Sequence, residues 1–259
     1  MTAEPIVDLD LSIDDLAQKL DRTGLVCLED VVSPSWLDEA WESVKSSLAK
    51  YGEEDLFVIH PDYAENTPAH RFVSDPAVRS ILEGLAKARC PQGASEREEI
   101  YSVLSVLAGP ERRASSYDFH YDAAVVTMLV PLSIPRAGMG KSGELVVWPN
   151  KRPFRSSVLI DIIEKTFMQN RFYRRLMVRQ LDRAPDAHSV ELKRGNVYLF
   201  WGYRTFHGNL PCAPGTVRAA LLLHYGNPHG DSAAIAAVRK LRRLVAPSSE
   251  HTEATVVRF

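Results

Sequence analysis

The stretch Phe119-His120-Tyr121-Asp122 sets an imidazole and a carboxylate two residues apart. On a β-strand that spacing puts both on one face, because side chains alternate with period 2. A His and an Asp aimed the same way into a cavity can take two neighbouring positions on one metal ion. Imidazole with carboxylate suits a borderline-hard ion such as Fe(II). The pattern is weak by itself in a chain with 8 His and 33 acidic residues. It needs strands to carry it and a third ligand from elsewhere.

The strands are present. Tyr101 to Leu107, Ala124 to Leu132, Glu144 to Trp148, Ser189 to Leu192, Asn196 to Trp201 and Val217 to Tyr225 are short strand-like runs. Gly, Pro and Asn turns such as Pro135-Arg136-Ala137-Gly138 and Lys193-Arg194-Gly195-Asn196 separate them. Strands at such spacing predict a sandwich or barrel. A segment from Ser156 to Leu181, rich in Ile, Phe and Arg, interrupts them and reads as a helical insertion. Its Leu159, Ile162, Ile163 and Phe167 recur at helical spacing, and Arg171, Arg174, Arg175 and Arg179 load its second half with positive charge. It is expected either to cover a site or to form a dimer contact.

Towards the N-terminus the pattern turns helical. Ser12 is a natural N-cap for a helix to Thr23, with Gly24 placed to end it. A short strand over Leu25–Leu28 follows. Ser33-Pro34 opens a second helix with the stripe Leu37, Trp41, Val44 and Leu48. Asp75-Pro76 opens a third, to about Ala88. Residues 1–95 thus read as a mostly helical support, 100–226 as the β core, and 231–259 as a helix and a polar, disordered tail, all within one domain.

The chain has 259 residues, a formal net charge of −2 and 45% hydrophobic residues, ample for a soluble domain with a large core. Near-neutral charge argues against nucleic acid as a partner, and no apolar run approaches the ~20 residues of a membrane helix. Cys27, Cys90 and Cys212 give neither zinc spacing nor a disulfide framework, so a reducing cytoplasm is expected.

The third ligand comes late. Gly195 opens an apolar run that leads to Phe206-His207-Gly208, and Arg218 then opens the apolar strand Val217-Arg218-Ala219-Ala220-Leu221. With Gly143-Glu144-Leu145 between the two halves, this order of features resembles the iron(II)- and 2-oxoglutarate-dependent dioxygenases, over about Tyr101 to Gly226. The resemblance implies a double-stranded β-helix, a cupin-like jelly roll with flanking helices. It implies His120, Asp122 and His207 as ligands of Fe(II), with dioxygen and 2-oxoglutarate as cosubstrates. It also implies Arg218 as the partner of the remote 2-oxoglutarate carboxylate, where the guanidinium fork suits a carboxylate better than Lys does.

The resulting expectation is an enzyme that oxidises, most simply hydroxylates, an aliphatic C–H of a small molecule, such as an amino acid or a specialised metabolite in biosynthesis, acting as monomer or homodimer. Thr127 and Tyr101 are candidates to join Arg218 on the cosubstrate. Arg71, Tyr203 and Arg204 are candidates for the substrate. His224 shares strand parity with Arg218 and reads as a core or rim histidine. Two other readings remain at this point: a cupin-like isomerase or ring-cleaving dioxygenase that uses no 2-oxoglutarate, and an inert β-roll that binds a ligand.

Overall fold

The structure is a computed structural model, and it describes residues 6–7, 12–52, 55–91, 99–108, 117–154, 188–228 and 255–258. Four helices precede the β core: α1 (Ile13–Thr23), α2 (Pro34–Tyr51), α3 (Pro68–Ser74) and α4 (Pro76–Arg89). Their starts follow the capping chemistry of the sequence. Ser12 accepts from the Asp15 amide, and Asp75 accepts from the Ala77 and Val78 amides. Gly24, at φ 73°, ends α1 in the left-handed conformation. The helix α3 was not expected. It begins at Pro68 behind a Thr67 cap, and only seven residues separate its start from the Asp75 cap of α4, too few for a periodic signal.

The strands are β1 (Leu25–Leu28), β2 (Leu56–Ile59), β3 (Tyr101–Ala108), β4 (Val126–Ser133), β5 (Leu145–Trp148), β6 (His188–Val190), β7 (Val197–Phe200), β8 (Phe206–Asn209), β9 (Val217–Tyr225) and β10 (Thr255–Arg258). They form a seven-stranded sheet in the order β1-β7-β4-β9-β3-β2-β10 and a three-stranded sheet in the order β6-β5-β8. Every pairing is antiparallel. Two strands depart from the sequence reading. β2 lies in the part expected to be helical, and β10 adds to the edge of β2 where a disordered tail was expected. Four-residue strands carry too little pattern to be recognised alone. The insertion at 156–181 and the helix expected after Asp231 lie outside the described residues.

Alternation along β9 shows how the layers are built. Ala219, Leu221 and Leu223 join a core shared with α1, α2 and α4, including Leu16, Leu20, Val44, Ile81, Leu82 and Leu85. Ala220 and Leu222 point the other way, into a second core with Leu129, Phe200, Leu145 and Val147 between the two sheets. Each fully buried Leu or Val contributes roughly 1.5–3 kcal/mol relative to exposure. The large sheet is thus covered on both faces, and β4, an interior strand, is apolar almost throughout. Pro131 sits in that strand, and the pairing of β4 with β9 shifts register between Pro131 and Ser133. A residue with no N–H cannot continue the ladder.

Asp21, at the end of α1, fastens this helical layer to the loop between β7 and β8. Its carboxylate accepts from Trp201 Nε1 and Arg204 Nη1, both at 3.0 Å, and from Arg89 Nε at 2.6 Å. Arg204 and Asp21 also form an ion pair, as do Arg89 and Asp21. None of the described helices is long and apolar enough to cross a membrane. Replacing Asp21 by Ala should cost on the order of 2 kcal/mol, allowing for partial solvent screening of a half-buried carboxylate. Urea unfolding monitored by circular dichroism measures this, and an unchanged midpoint would show that the loop is held by other contacts.

Candidate metal centre

His120 lies outside any regular strand, yet it faces inward as a strand residue would. It forms an isolated antiparallel bridge with His207 of β8. The His120 amide donates to the His207 carbonyl at 2.9 Å, and the His207 amide donates back at 3.0 Å. The Tyr117 amide donates to the Asn209 carbonyl, and the Asp122 amide to the Gly202 carbonyl. Residues 117–122 therefore run beside β8 and into the loop before it. The expected placement of His120 and Asp122 is met through this bridge rather than through a continuous strand.

Both imidazoles are oriented by the same device. His120 Nδ1 is 2.8 Å from the Asp118 carbonyl, and His207 Nδ1 is 3.0 Å from the Thr205 carbonyl. A carbonyl only accepts, so each Nδ1 carries the proton and each Nε2 presents its lone pair. Phe200 packs edge-on to His207, with ring centroids 4.7 Å apart. His120 Nε2 is 3.4 Å from Asp122 Oδ1, and His207 Nε2 is 3.6 Å from Asp122 Oδ2. One ligand atom from each of the three residues lies within 4.8 Å of the others. Adjacent ligands on an ion with bonds of about 2.1 Å are about 3 Å apart, so a cation held here would draw the three groups closer together.

The electrostatics suit a cation. Burial would raise the Asp122 carboxyl, but His207, His224 and His120 together hold it well below the ordinary carboxylate range. Burial lowers the His207 imidazole to about 4, against the pull of Asp122, so its Nε2 is free to ligate. His120 is different. Burial pulls it down, yet the Asp122 carboxylate and the Asp118 carbonyl outweigh that and shift it upward. Its side chain is 49% exposed at the rim of the site, so water screens part of this pull.

A glycine makes the arrangement possible. A Cβ on Gly202 would lie 2.3 Å from Thr127 Oγ1 and 2.7 Å from Asp122 Oδ2. The backbone can approach the carboxylate only because no side chain is there.

Arg218 is 1% exposed on the inner face of the roll. Its Nη2 donates to Asn209 Oδ1 at 3.1 Å. Its Nε and Nη1 are buried and have no hydrogen-bond partner among the described residues. Burial lowers its pKa to about 10, opposed by Cys212 and Glu144, so the guanidinium stays charged near neutrality. Gly143 makes room for it, since a Cβ there would meet Arg218 Cδ at 2.4 Å. A buried guanidinium with two idle donors is costly unless an anion completes it.

Other expected site residues are placed elsewhere. Thr127 pairs with His224, six residues along β9 from Arg218 and so about 20 Å away along the strand. Its hydroxyl is taken up by Asp122 and His224. Tyr101 also pairs with His224, and its exposed ring lies at that same end. Neither joins Arg218. Arg71 forms an ion pair with Glu39 on the surface and donates to the Asn66 carbonyl. Arg204 binds Asp21 and the Arg152 carbonyl. Tyr203 is buried, stacked on Phe154, with the Arg152 guanidinium 3.8 Å from its ring centroid. These three hold the fold. The sequence reading missed Asn209, although it stands two residues from His207 and so shares its strand face.

No protein-family profile matches the chain, and no curated protein does. Solved structures do. A prolyl-4-hydroxylase from Pseudomonas putida superposes with a TM-score of 0.52 at 13% identity, over 83% of this chain and 99% of that one. EctD from S. alaskensis, solved with 2-oxoglutarate and 5-hydroxyectoine, gives 0.54 at 16% identity, over 89% and 86%. The epimerase SnoN, in complex with Fe3+, alpha ketoglutarate and nogalamycin RO, gives 0.53 at 14% identity, over 83% of each. The likeness identifies the fold as the double-stranded β-helix these proteins share.

Gly202→Ala should weaken divalent-metal binding by at least about tenfold, by displacing Asp122 and its hydrogen-bond partner. Calorimetric titration of the metal-free protein with Co(II) measures it. Wild-type affinity in this variant would show that the carboxylate is not the ligand.

Proposed function

We propose that this chain is an iron(II)- and 2-oxoglutarate-dependent oxygenase that oxidises, most simply hydroxylates, a C–H bond of a small organic molecule. The observation that carries the reading is the presence of two features in the same roll. One is a cluster of two imidazoles and a carboxylate, and the other is a sealed guanidinium with two idle donors. Two His with one carboxylate suit non-haem Fe(II) and leave positions open for other ligands. With iron(II), 2-oxoglutarate and dioxygen bound, the site supplies an oxidant for the substrate and releases succinate and CO2.

The residues have separate tasks. His120 and His207 present Nε2, and Asp122 presents a carboxylate oxygen. Arg218 pairs with the remote carboxylate of 2-oxoglutarate through Nε and Nη1. Asn209 steadies the guanidinium and stands two residues, about 7 Å, from His207 on the same strand. Leu129, Val147, Phe200 and Leu222 wall the interior and exclude water. A metal enzyme without 2-oxoglutarate leaves the idle donors of Arg218 without an acceptor, and an inert roll leaves three oriented ligands without a task. The neighbours' ligands, hydroxyectoine and nogalamycin RO, support a small-molecule substrate here.

Anaerobic addition of Fe(II) and then 2-oxoglutarate should produce a weak visible charge-transfer band. Ala at His120, Asp122 or His207 should abolish it together with 2-oxoglutarate turnover. A full band in Asp122→Ala would refute the ligand assignment. Arg218→Ala should keep Fe(II) binding but weaken 2-oxoglutarate about 10- to 150-fold, the equivalent of about 1.5–3 kcal/mol for a charge-assisted hydrogen bond. Arg218→Lys should recover only part of this, because Lys lacks the fork. Unchanged 2-oxoglutarate affinity in Arg218→Ala would assign the remote carboxylate to another residue.

A further inference from the structure

Thr127 of β4 lies between two groups of the site. Its Oγ1 is 2.5 Å from Asp122 Oδ2 and 3.1 Å from His224 Nδ1. Thr127 is fully buried, and Asp122 and His224 are 8% and 13% exposed at their side chains. A hydroxyl has one proton to give. A carboxylate can only accept, so that proton goes to Asp122 Oδ2. The Thr127 oxygen must then accept from His224 Nδ1–H. The proton count therefore fixes the His224 tautomer and leaves its Nε2 as an acceptor. His224 Nδ1 is also 3.6 Å from Asp122 Oδ2, adding a second positive edge beside that oxygen. Oδ2 also lies 3.6 Å from His207 Nε2, and the other oxygen, Oδ1, faces His120 Nε2 at 3.4 Å.

We propose that Thr127 and His224 are positioning residues that fix the Asp122 carboxylate in the orientation in which it faces both imidazoles of the cluster. The inference rests on the metal site proposed above. The backbone of Gly202, pressed against both Thr127 and Asp122, closes the remaining side and keeps the carboxylate from rotating. The pairing of Thr127 with His224 across β4 and β9 makes the contact a property of sheet register rather than of a loop.

The test is calorimetric titration of the metal-free full chain with Co(II), together with the Co(II) visible spectrum. Thr127→Val keeps the shape and removes the hydrogen bonds. It should bind Co(II) about 10- to 100-fold more weakly than wild type, with an altered spectrum. Thr127→Ser should stay within about threefold, because it restores the hydroxyl. His224→Leu should weaken binding in the same direction, and His224→Asn, which can place an amide donor near the Nδ1 position, should recover part of it. If Thr127→Val fails to fold, the His224 pair decides. Equal or tighter Co(II) binding by Thr127→Val or His224→Leu overturns the proposal while leaving the metal site standing. A wild-type protein that does not bind Co(II) removes the metal site and this inference with it.

Discussion

The reciprocal backbone bridge between His120 and His207 is the constraint on which the site depends. Those residues are distant in sequence, and one belongs to an irregular stretch. Two amide–carbonyl bonds place their Cα atoms opposite each other, so the imidazoles emerge on one face with ring centroids 4.6 Å apart. The orientation within that pair is local, since each ring donates to a carbonyl two residues back. Long-range structure thus sets the distance and short-range structure sets the direction. The bridge also carries Asp122 to the loop before β8, where Gly202 receives its amide.

Two charges of opposite sign are buried on the inner face and do not meet. Asp122 lies at the His224 end of β9, and Arg218 lies near its start. In a low-dielectric interior an unmatched charge is costly, and pairing them with each other would relieve both. The roll keeps them apart instead. Asp122 is surrounded by three imidazoles and a hydroxyl, whereas Arg218 has only Asn209 as a hydrogen-bond partner among the described residues. The separation leaves an acidic cluster and a guanidinium with open donors as two distinct polar centres in an apolar interior.

Much of this was legible in the chain because it is periodic or local. The caps at Ser12 and Asp75, the strand over Val217–Tyr225 and the parity of Arg218 follow from spacing. The cluster of His120, Asp122 and His207 was legible through H-x-D and the later His207. β8 was not, because Phe206-His207-Gly208-Asn209 has no strand-like alternation and pairs only through its partners. The contacts of Thr127 with Asp122 and His224 were not legible, because they form beside Gly202, a loop residue that meets it only in the fold. Tyr203 and Arg204 stood beside the motif in sequence and suggested a pocket wall. Their side chains instead serve Arg152, Phe154 and Asp21, contacts made across the chain that no local pattern encodes.

The idle donors of Arg218 also bear on how long the protein lasts. An anion seated there binds the folded chain and not the unfolded one, so its concentration enters the folding equilibrium directly. At a hundredfold excess over its dissociation constant, such a ligand adds about 2.7 kcal/mol to stability. That is a large share of the few kcal/mol that separate a working domain from one cleared by proteases. Any anion that completes the guanidinium would therefore raise the midpoint of unfolding as its concentration rises.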